Sequence, residues 1–140
     1  MDYVVGLLHD GEHMIFVKKI KPEWQAGKLN GVGGKIESDE TPIEAMTREF
    51  REETGLSIFG WRCFLILRGN EYNIFFFVLK YPTYILNEAR TMEEEKIIKY
   101  PLRYFGNTCT EFVPNLSWIV PLALYTDDNY KTIEVMEAGS

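Results

Sequence analysis

Apolar and polar positions divide the first half of the chain into strands and turns. Residues 3–8 and 14–19 are rich in strand-forming residues, and Asp10-Gly11 between them is a strong hairpin signal. Residues 57–67 and 74–80 form a second predicted strand pair around Gly69-Asn70. The uninterrupted apolar run at 74–79 predicts a strand buried on both faces. Between the two pairs, the glycine-rich residues 21–34 predict an ordered loop around a short strand.

The clearest helical pattern covers residues 41–54. Thr41 is suited to cap the helix, Pro42 to its first turn, and Glu44 to complete a capping box. Gly55 then supplies a left-handed stop. A second helix is predicted over residues 119–125, with Pro121 restricting where it begins. Strands interrupted by helices in the middle and at the end indicate a layered α/β domain.

The first helix carries two different faces. Four residues at helical spacing predict the face that packs on the sheet: Ile43, Met46, Phe50 and Thr54. Three carboxylates follow an adjacent stripe: Glu49, Glu52 and Glu53. Carboxylates this close repel one another by a few tenths of a kcal/mol per pair, and a hard cation such as Mg²⁺ or Mn²⁺ relieves that repulsion. The alternative interpretation is a solvated acidic face.

The surroundings of these carboxylates favour the metal interpretation. Gly34, Glu40 and the run Arg48-Glu49-Phe50-Arg51-Glu52-Glu53-Thr54-Gly55-Leu56 resemble the Nudix box, GX5EX7REUXEEXGU with U a bulky apolar residue, at every specified position. A chance match is on the order of 10⁻⁸ to 10⁻⁹ per starting position. The resemblance implies the family's α/β/α sandwich with a mixed central sheet and the Nudix loop-helix-loop. The expected organisation is one domain over residues 1–140.

The resemblance also implies a site. The metal ligands would be Glu49, Glu52, Glu53 and the Gly33 carbonyl, and the metal Mg²⁺ or Mn²⁺. Arg48 would orient the carboxylate of Glu49 through a charge-assisted hydrogen bond. Either Glu53 or Glu52 would accept the proton from water.

The resemblance to the Nudix box implies three further roles. Glu40 would close a salt bridge or a water contact within the loop-helix-loop. Gly34 would let the backbone approach the metal. The acidic run Glu93-Glu94-Glu95 could add a carboxylate from a later loop, with a solvated acidic turn as the alternative.

Two segments resemble the MutT-type oxidised-purine triphosphatases within this family. In residues 29–35, Asn30 would touch the base and Lys35 would approach phosphate. In residues 113–118, Asn115 would read the purine edge, because an amide presents both a donor and an acceptor. The alternatives are a turn residue for Asn30 and a helix cap for Asn115.

Candidate residues for base stacking and phosphate contact also lie in or near these segments. Val113 stands where animal relatives carry a tryptophan, so base stacking would fall to Trp24 or Trp118, although Trp24 is equally explained as a loop anchor. Lys18 and Lys19 are candidate phosphate contacts, or ordinary strand-end lysines.

Composition narrows the functional classes. A net charge of −6 over 140 residues argues against binding of duplex nucleic acid. Cys63 and Cys109 lack metal-binding spacing and are expected to be reduced, buried thiols. The chain shows neither a secretion signal nor an apolar run of membrane-spanning length, so a cytoplasmic location is expected. The expected partner is a small-molecule nucleotide, and the chain is expected to be a monomer or a homodimer.

The leading hypothesis is therefore metal-dependent hydrolysis of a nucleotide phosphoanhydride. The expected substrate is a purine nucleoside triphosphate, oxidised or not, cleaved to monophosphate and pyrophosphate. An ADP-ribose or dinucleoside polyphosphate pyrophosphatase is the alternative within the same chemistry. A catalytically inactive Nudix-fold binding module is a remote alternative, since no box glutamate is missing.

Overall fold

The computed structural model describes residues 1–106, 111–126 and 131–137. The strands in these residues are β1 (Asp2–His9), β2 (His13–Lys18), β3 (Leu29–Asn30), β4 (Val32–Lys35), β5 (Arg62–Arg68), β6 (Asn73–Lys80), β7 (Lys96–Pro101) and β8 (Ile133–Met136). The helices are α1 (Pro42–Thr54), the short α2 (Thr83–Leu86) and α3 (Leu116–Thr126).

The strands form one mixed sheet in the order β3-β2-β1-β6-β5-β8, with β4 paired to β1 and β7 paired to β2. The β1–β6 and β5–β8 pairs are parallel, and the other pairs are antiparallel. The segment containing β3 and β4 crosses from the end of β2 to the edge of β1. This crossing places Gly33 and Gly34 against Val4 and Val5, directly before the loop that leads into α1.

Two apolar clusters cover opposite faces of the sheet. Residues of α1 and α2 pack on one face, and residues of α3 pack on the other. Strand β6 contributes to both clusters, with Phe76 and Val78 facing α3 and Phe77 and Leu79 facing α1. The predicted α/β/α sandwich and the predicted two-sided burial of this strand are confirmed.

Helix α1 begins and ends as its sequence predicts. The Thr41 side chain accepts from the Glu44 amide, and the Glu44 carboxylate accepts from the Thr41 amide. Gly55 ends the helix with φ 79°. The prediction that Ile43 faces the sheet is wrong, because its side chain is 46% exposed. The first turn lies outside the packed interface, which begins at Ala45.

Two other predicted boundaries are also wrong. The second strand pair begins at Arg62 rather than at residue 57, because Gly60 adopts φ 101°, which is incompatible with an extended strand. The last helix begins at Leu116, so Pro121 lies inside it instead of marking its start. The missing amide of Pro121 removes one hydrogen bond that a helix of this length would otherwise make.

Two remaining expectations concern cysteines and membranes. Cys63 is a free, half-buried thiol whose burial raises its pKa, whereas Cys109 lies outside the described residues. None of the helices in the described ranges has the length and apolarity needed to cross a membrane.

Candidate functional site

Arg48 connects α1 to the loop that precedes it. Its Nε and Nη2 donate to the two carboxylate oxygens of Glu40 at 2.5 and 2.9 Å, and Nη2 also donates to the Lys35 carbonyl at 3.1 Å. This paired geometry is the strong form of a charge-assisted hydrogen bond. The hydrogen bond from Arg48 holds the pKa of Glu40 below its usual value. The loop after β4 is therefore fixed to the helix that carries the glutamates.

The same guanidinium also binds two of the three glutamates on the acidic stripe. Its Nη1 donates to Glu49 at 3.1 Å and to Glu52 at 3.2 Å. Glu49 lies against Gly34, where an added Cβ would stand 2.7 Å from Oε1 and still closer to Oε2. Burial raises the pKa of Glu49, although Arg48 opposes this effect. Glycine at position 34 thus leaves the space that the Glu49 carboxylate occupies.

Glu53 is the third carboxylate, and it lies deeper than Glu52. Its Oε2 is buried and has no hydrogen-bond partner among the described residues. Burial, followed by the nearby charges of Glu95 and Glu49, raises the pKa of Glu53 to about 7. A buried carboxylate oxygen without a donor is costly unless a proton or a cation satisfies it. Glu53 therefore has the properties of a proton acceptor or a cation ligand.

The acidic run at 93–95 is held beside Glu53 by the backbone. The amide of Met92 donates to the Glu53 carbonyl, and the amide of Arg90 donates to the Thr54 carbonyl. Glu95 accepts from the Lys19 ammonium at 3.0 Å and from the Ile20 amide at 2.6 Å. Burial alone would raise the pKa of Glu95, but these hydrogen bonds outweigh it and lower the pKa. Glu95 is thus an ionised, fixed carboxylate close enough to Glu53 to influence its charge.

Carboxylate oxygens are suitable ligands for a hard divalent cation, although these carboxylates do not form a complete coordination site. Within the described ranges, no group of three His, Cys, Asp or Glu side chains is close enough to hold a metal. Arg48 lies between Glu49 and Glu52 and binds one oxygen of each, which leaves the remaining oxygens for another partner. Gly33, whose carbonyl is the predicted additional ligand, lies beside Gly34 in β4 and pairs with Val5.

A cleft of about 750 Å³ opens on the α3 face of the sheet, a size suited to a small-molecule ligand. Its floor is apolar and is formed by Val5, Leu67, Ile74, Phe76, Leu116 and Ile119. Four polar residues singled out from the sequence also line it: Lys19, Asn30, Lys35 and Asn115. Gly33 and Gly34 form the edge of the cleft that lies nearest to Glu49.

The two asparagines have different local roles. The Asn30 amide donates to the Gln25 side chain at 3.2 Å, and its oxygen accepts from the Gly31 amide at 2.8 Å. Asn115 directly precedes α3 and has φ 81°, a left-handed conformation that asparagine tolerates better than most residues. Its side-chain oxygen accepts from the indole of Trp118 at 3.2 Å. Both residues line the cleft, and an amide can make more hydrogen bonds than the contacts named here.

Four other residues considered in the sequence analysis differ in their position relative to the cleft. Lys18 is exposed at the end of β2 and is not among the described residues that line the cleft, whereas the adjacent Lys19 is. Trp24 lines the cleft and is 61% exposed, so it is not a packed loop anchor. Val113 is buried at the cleft wall, while Trp118 lies outside the described lining.

Sequence reasoning missed two polar residues in the same cleft. Tyr72 precedes β6 and Glu137 follows β8, and the Tyr72 hydroxyl donates to the Glu137 carboxylate at 2.9 Å. Neither residue belongs to a recognisable local motif. The parallel pairing of β8 with β5, which are distant in the sequence, brings Glu137 to this position.

Comparison with known proteins supports the resemblance seen in the sequence. The chain is 36% identical over 58 residues to the 8-oxo-dGTP diphosphatase of Escherichia coli (strain K12), a match that covers 41% of the chain. The matched segment spans about half the length of that relative, 45%.

Two solved structures share the fold at lower identity. The mutator MutT protein of Bacillus halodurans aligns with a TM-score of 0.72 at 16% identity, covering 99% of this chain and 90% of that one. The NUDIX domain of Shewanella oneidensis NrtR, solved with ADP ribose, aligns with a TM-score of 0.71 at 13% identity, covering 89% and 86%. The model of the NUDIX domain family matches residues 2–106, three quarters of the sequence, and the chain belongs to that family.

Proposed function

We propose that this protein is a MutT-type Nudix hydrolase that cleaves a purine nucleoside triphosphate, oxidised or not, to the monophosphate and pyrophosphate with Mg²⁺ or Mn²⁺. The observation that carries this proposal is the position of Lys19. Its ammonium binds Glu95 beside the helix carboxylates, and the same residue lines the nucleotide-sized cleft. A phosphate chain that starts in the cleft would therefore reach the glutamates at this point.

Glu49, Glu52, Glu53 and the Gly33 carbonyl are the groups that would hold the cation. A bound Mg²⁺ or Mn²⁺ would supply charge neutralisation of phosphate oxygens and a lower pKa for water. The buried, unpartnered Oε2 of Glu53 supports this assignment, because a cation would satisfy it.

Other residues of the chain would bind phosphate, position the carboxylates and accept the proton. Lys19 and Lys35 lie where they would bind phosphate oxygens at the edge of the cleft. Arg48 fixes the carboxylates of Glu49 and Glu52 from behind. Glu53 is the preferred proton acceptor, because its carboxylate is partly buried and its Oε2 has no donor among the described residues. Glu52 is the alternative base, although its side chain is 46% exposed and bound to Arg48.

The cleft supports a purine as the base. Asn30 and Asn115 present amides beside an apolar floor, an arrangement suited to a flat heterocycle with donors and acceptors on its edge. The printed activity of the Escherichia coli relative, 8-oxo-dGTP diphosphatase, points to the same class of substrate.

A panel of 8-oxo-dGTP, dGTP, dATP, dCTP and ADP-ribose tests the proposal directly. Release of pyrophosphate with Mg²⁺ should be fastest with a purine triphosphate. Glu53→Gln should lower kcat by roughly 10²- to 10⁴-fold while the protein stays folded. The exposed Glu88→Gln serves as the control and should retain wild-type turnover.

Two results would contradict the proposal. Full activity in both Glu52→Gln and Glu53→Gln would remove the assigned roles of these glutamates. A preference for ADP-ribose over every triphosphate would replace the proposed substrate with the alternative one.

A further inference from the structure

The far end of the cleft carries a carboxylate that the proposed reaction does not use. Strand β8 pairs with β5 so that Val135 lies opposite Leu67 and Met136 opposite Arg68. The pairing continues one residue further, since the Glu137 amide donates to the Arg68 carbonyl at 3.0 Å. Alternate residues of a strand share a face, so Glu137 faces the same way as Val135, which packs against the α3-side core.

Tyr72 fixes the orientation of this carboxylate. Its hydroxyl donates to Glu137 Oε1 at 2.9 Å. The ring lies over the turn between β5 and β6, where an added Cβ on Gly69 would stand 2.5 Å from the nearest ring carbon. The absent side chain at Gly69 thus lets the tyrosine ring lie across the turn and reach Glu137. Both partners line the cleft.

The charges of the cleft are arranged with opposite signs at its two ends. Lys19 and Lys35 line the part next to Gly33 and Gly34, beside the carboxylates of α1. Glu137 lies beyond the apolar floor, at the end formed by β5 and β8. A ligand that fills the cleft would therefore be anionic at one end and rich in hydrogen-bond donors at the other.

We propose that the Tyr72–Glu137 pair is a base-recognition point that selects a nucleobase edge with two adjacent N–H donors, the pattern of guanine. The inference rests on the proposed nucleotide substrate. The hydroxyl hydrogen of Tyr72 is directed to Glu137, and the groups that a carboxylate such as Glu137 presents to a ligand are acceptors. The guanine Watson–Crick edge offers adjacent N1–H and N2–H donors, and oxidation at C8 leaves them unchanged. Adenine and cytosine place an acceptor beside their amino group, and the acceptor oxygens of Glu137 would disfavour it.

Metal-free titration calorimetry with nucleoside monophosphates tests the inference independently of catalysis. Wild type should bind dGMP about 5- to 150-fold more tightly than dIMP, which lacks only the 2-amino group. Glu137→Gln should bring the two affinities to within about threefold of each other. Tyr72→Phe should reduce the ratio less, because the ring is retained and only the orienting hydroxyl is lost. Glu134→Gln is the matched control on the same strand, since its carboxylate binds Arg68 on the other face, and it should keep the wild-type ratio.

Three outcomes would overturn the inference. One is an equal affinity of wild type for dGMP and dIMP. The second is an unchanged ratio in a Glu137→Gln protein whose melting temperature is that of wild type. The third is a Glu137→Gln loss confined to GMP and absent with dGMP, which would assign the carboxylate to the ribose 2′-hydroxyl. A protein that prefers dGMP but hydrolyses only ADP-ribose would refute the proposed function and leave this inference standing.

Discussion

Gly34→Ala tests whether the position of the Glu49 carboxylate controls the activity. Gly34 pairs with Val4 in β4, and its missing side chain points towards α1. It is not among the described glycines with positive φ, so alanine introduces no backbone strain there. The new methyl would stand 2.7 Å from Glu49 Oε1 and closer still to Oε2. The effect of the substitution therefore falls on the carboxylate.

The size of the effect follows from this contact. Glu49 must move by roughly 1 Å to restore an ordinary van der Waals distance, and it then loses its present 3.1 Å hydrogen bond from Arg48. A displacement of that size in a catalytic group costs about 10²-fold in kcat/KM. The folding free energy should change by less than about 1 kcal/mol, because a flexible side-chain end moves rather than the backbone.

The assay measures kcat/KM at saturating Mg²⁺ and the melting temperature of Gly34→Ala, Glu49→Gln and the double variant. If Gly34→Ala acts through Glu49, the double variant should be little worse than Glu49→Gln alone. Wild-type activity in Gly34→Ala would contradict a requirement for the present position of Glu49, and so would two losses that multiply fully in the double variant.

The remaining predictions concern single side chains. In EDTA, the pKa of Glu53 is about 7 in the folded protein, against 4.5 for the unconstrained side chain. The folded state therefore binds the Glu53 proton more tightly than the unfolded state does. The stability that this proton adds is present below pH 4.5 and is lost as the pH rises through 7. Glu53→Gln should therefore melt above wild type at pH 8 and close to it at pH 4.5; the same difference at both pH values would refute the assigned burial. Arg48→Lys should lower kcat by about 10- to 100-fold, because lysine cannot bind Glu40 bidentately while reaching Glu49. The exposed Arg51→Lys on the same helix should retain wild-type kcat, and an equal loss in both would point to a general effect on α1. Asn115→Gly tolerates the φ of 81° and should reduce kcat/KM for a purine triphosphate by about 5- to 150-fold, with a much smaller loss for dCTP. Equal losses of kcat/KM for both nucleotides would show that Asn115 positions α3 and does not read the base.

The parts of the fold that the sequence predicts correctly are those set by local interactions. Helix α1 begins and ends where its capping residues require, and the i, i+3, i+4 spacing places Glu49, Glu52 and Glu53 on one stripe. The resemblance to the family predicts a salt bridge or a water contact for Glu40 within the motif, and the partner in the structure is Arg48, 8 residues away.

The sequence-based predictions are wrong or incomplete where burial and contacts depend on tertiary packing. Helical periodicity assigns Ile43 to the buried face, but it does not reveal that the first turn lies outside the interface. The contact between Lys19 and Glu95 joins residues 76 apart, and that between Tyr72 and Glu137 joins residues 65 apart. Such pairs depend on strand order and register, which the alternation of apolar residues within a single strand does not specify.

The proposed metal-dependent hydrolysis is best tested by removing and restoring the divalent cation. Purified protein is stripped with EDTA, and pyrophosphate release from the best purine triphosphate is measured before and after addition of Mg²⁺ to wild type and Glu53→Gln. Activity should disappear in EDTA, return with Mg²⁺ in wild type, and stay at least about 10²-fold lower in Glu53→Gln. Undiminished turnover in excess EDTA, or full recovery of Glu53→Gln with Mg²⁺, would contradict this proposal.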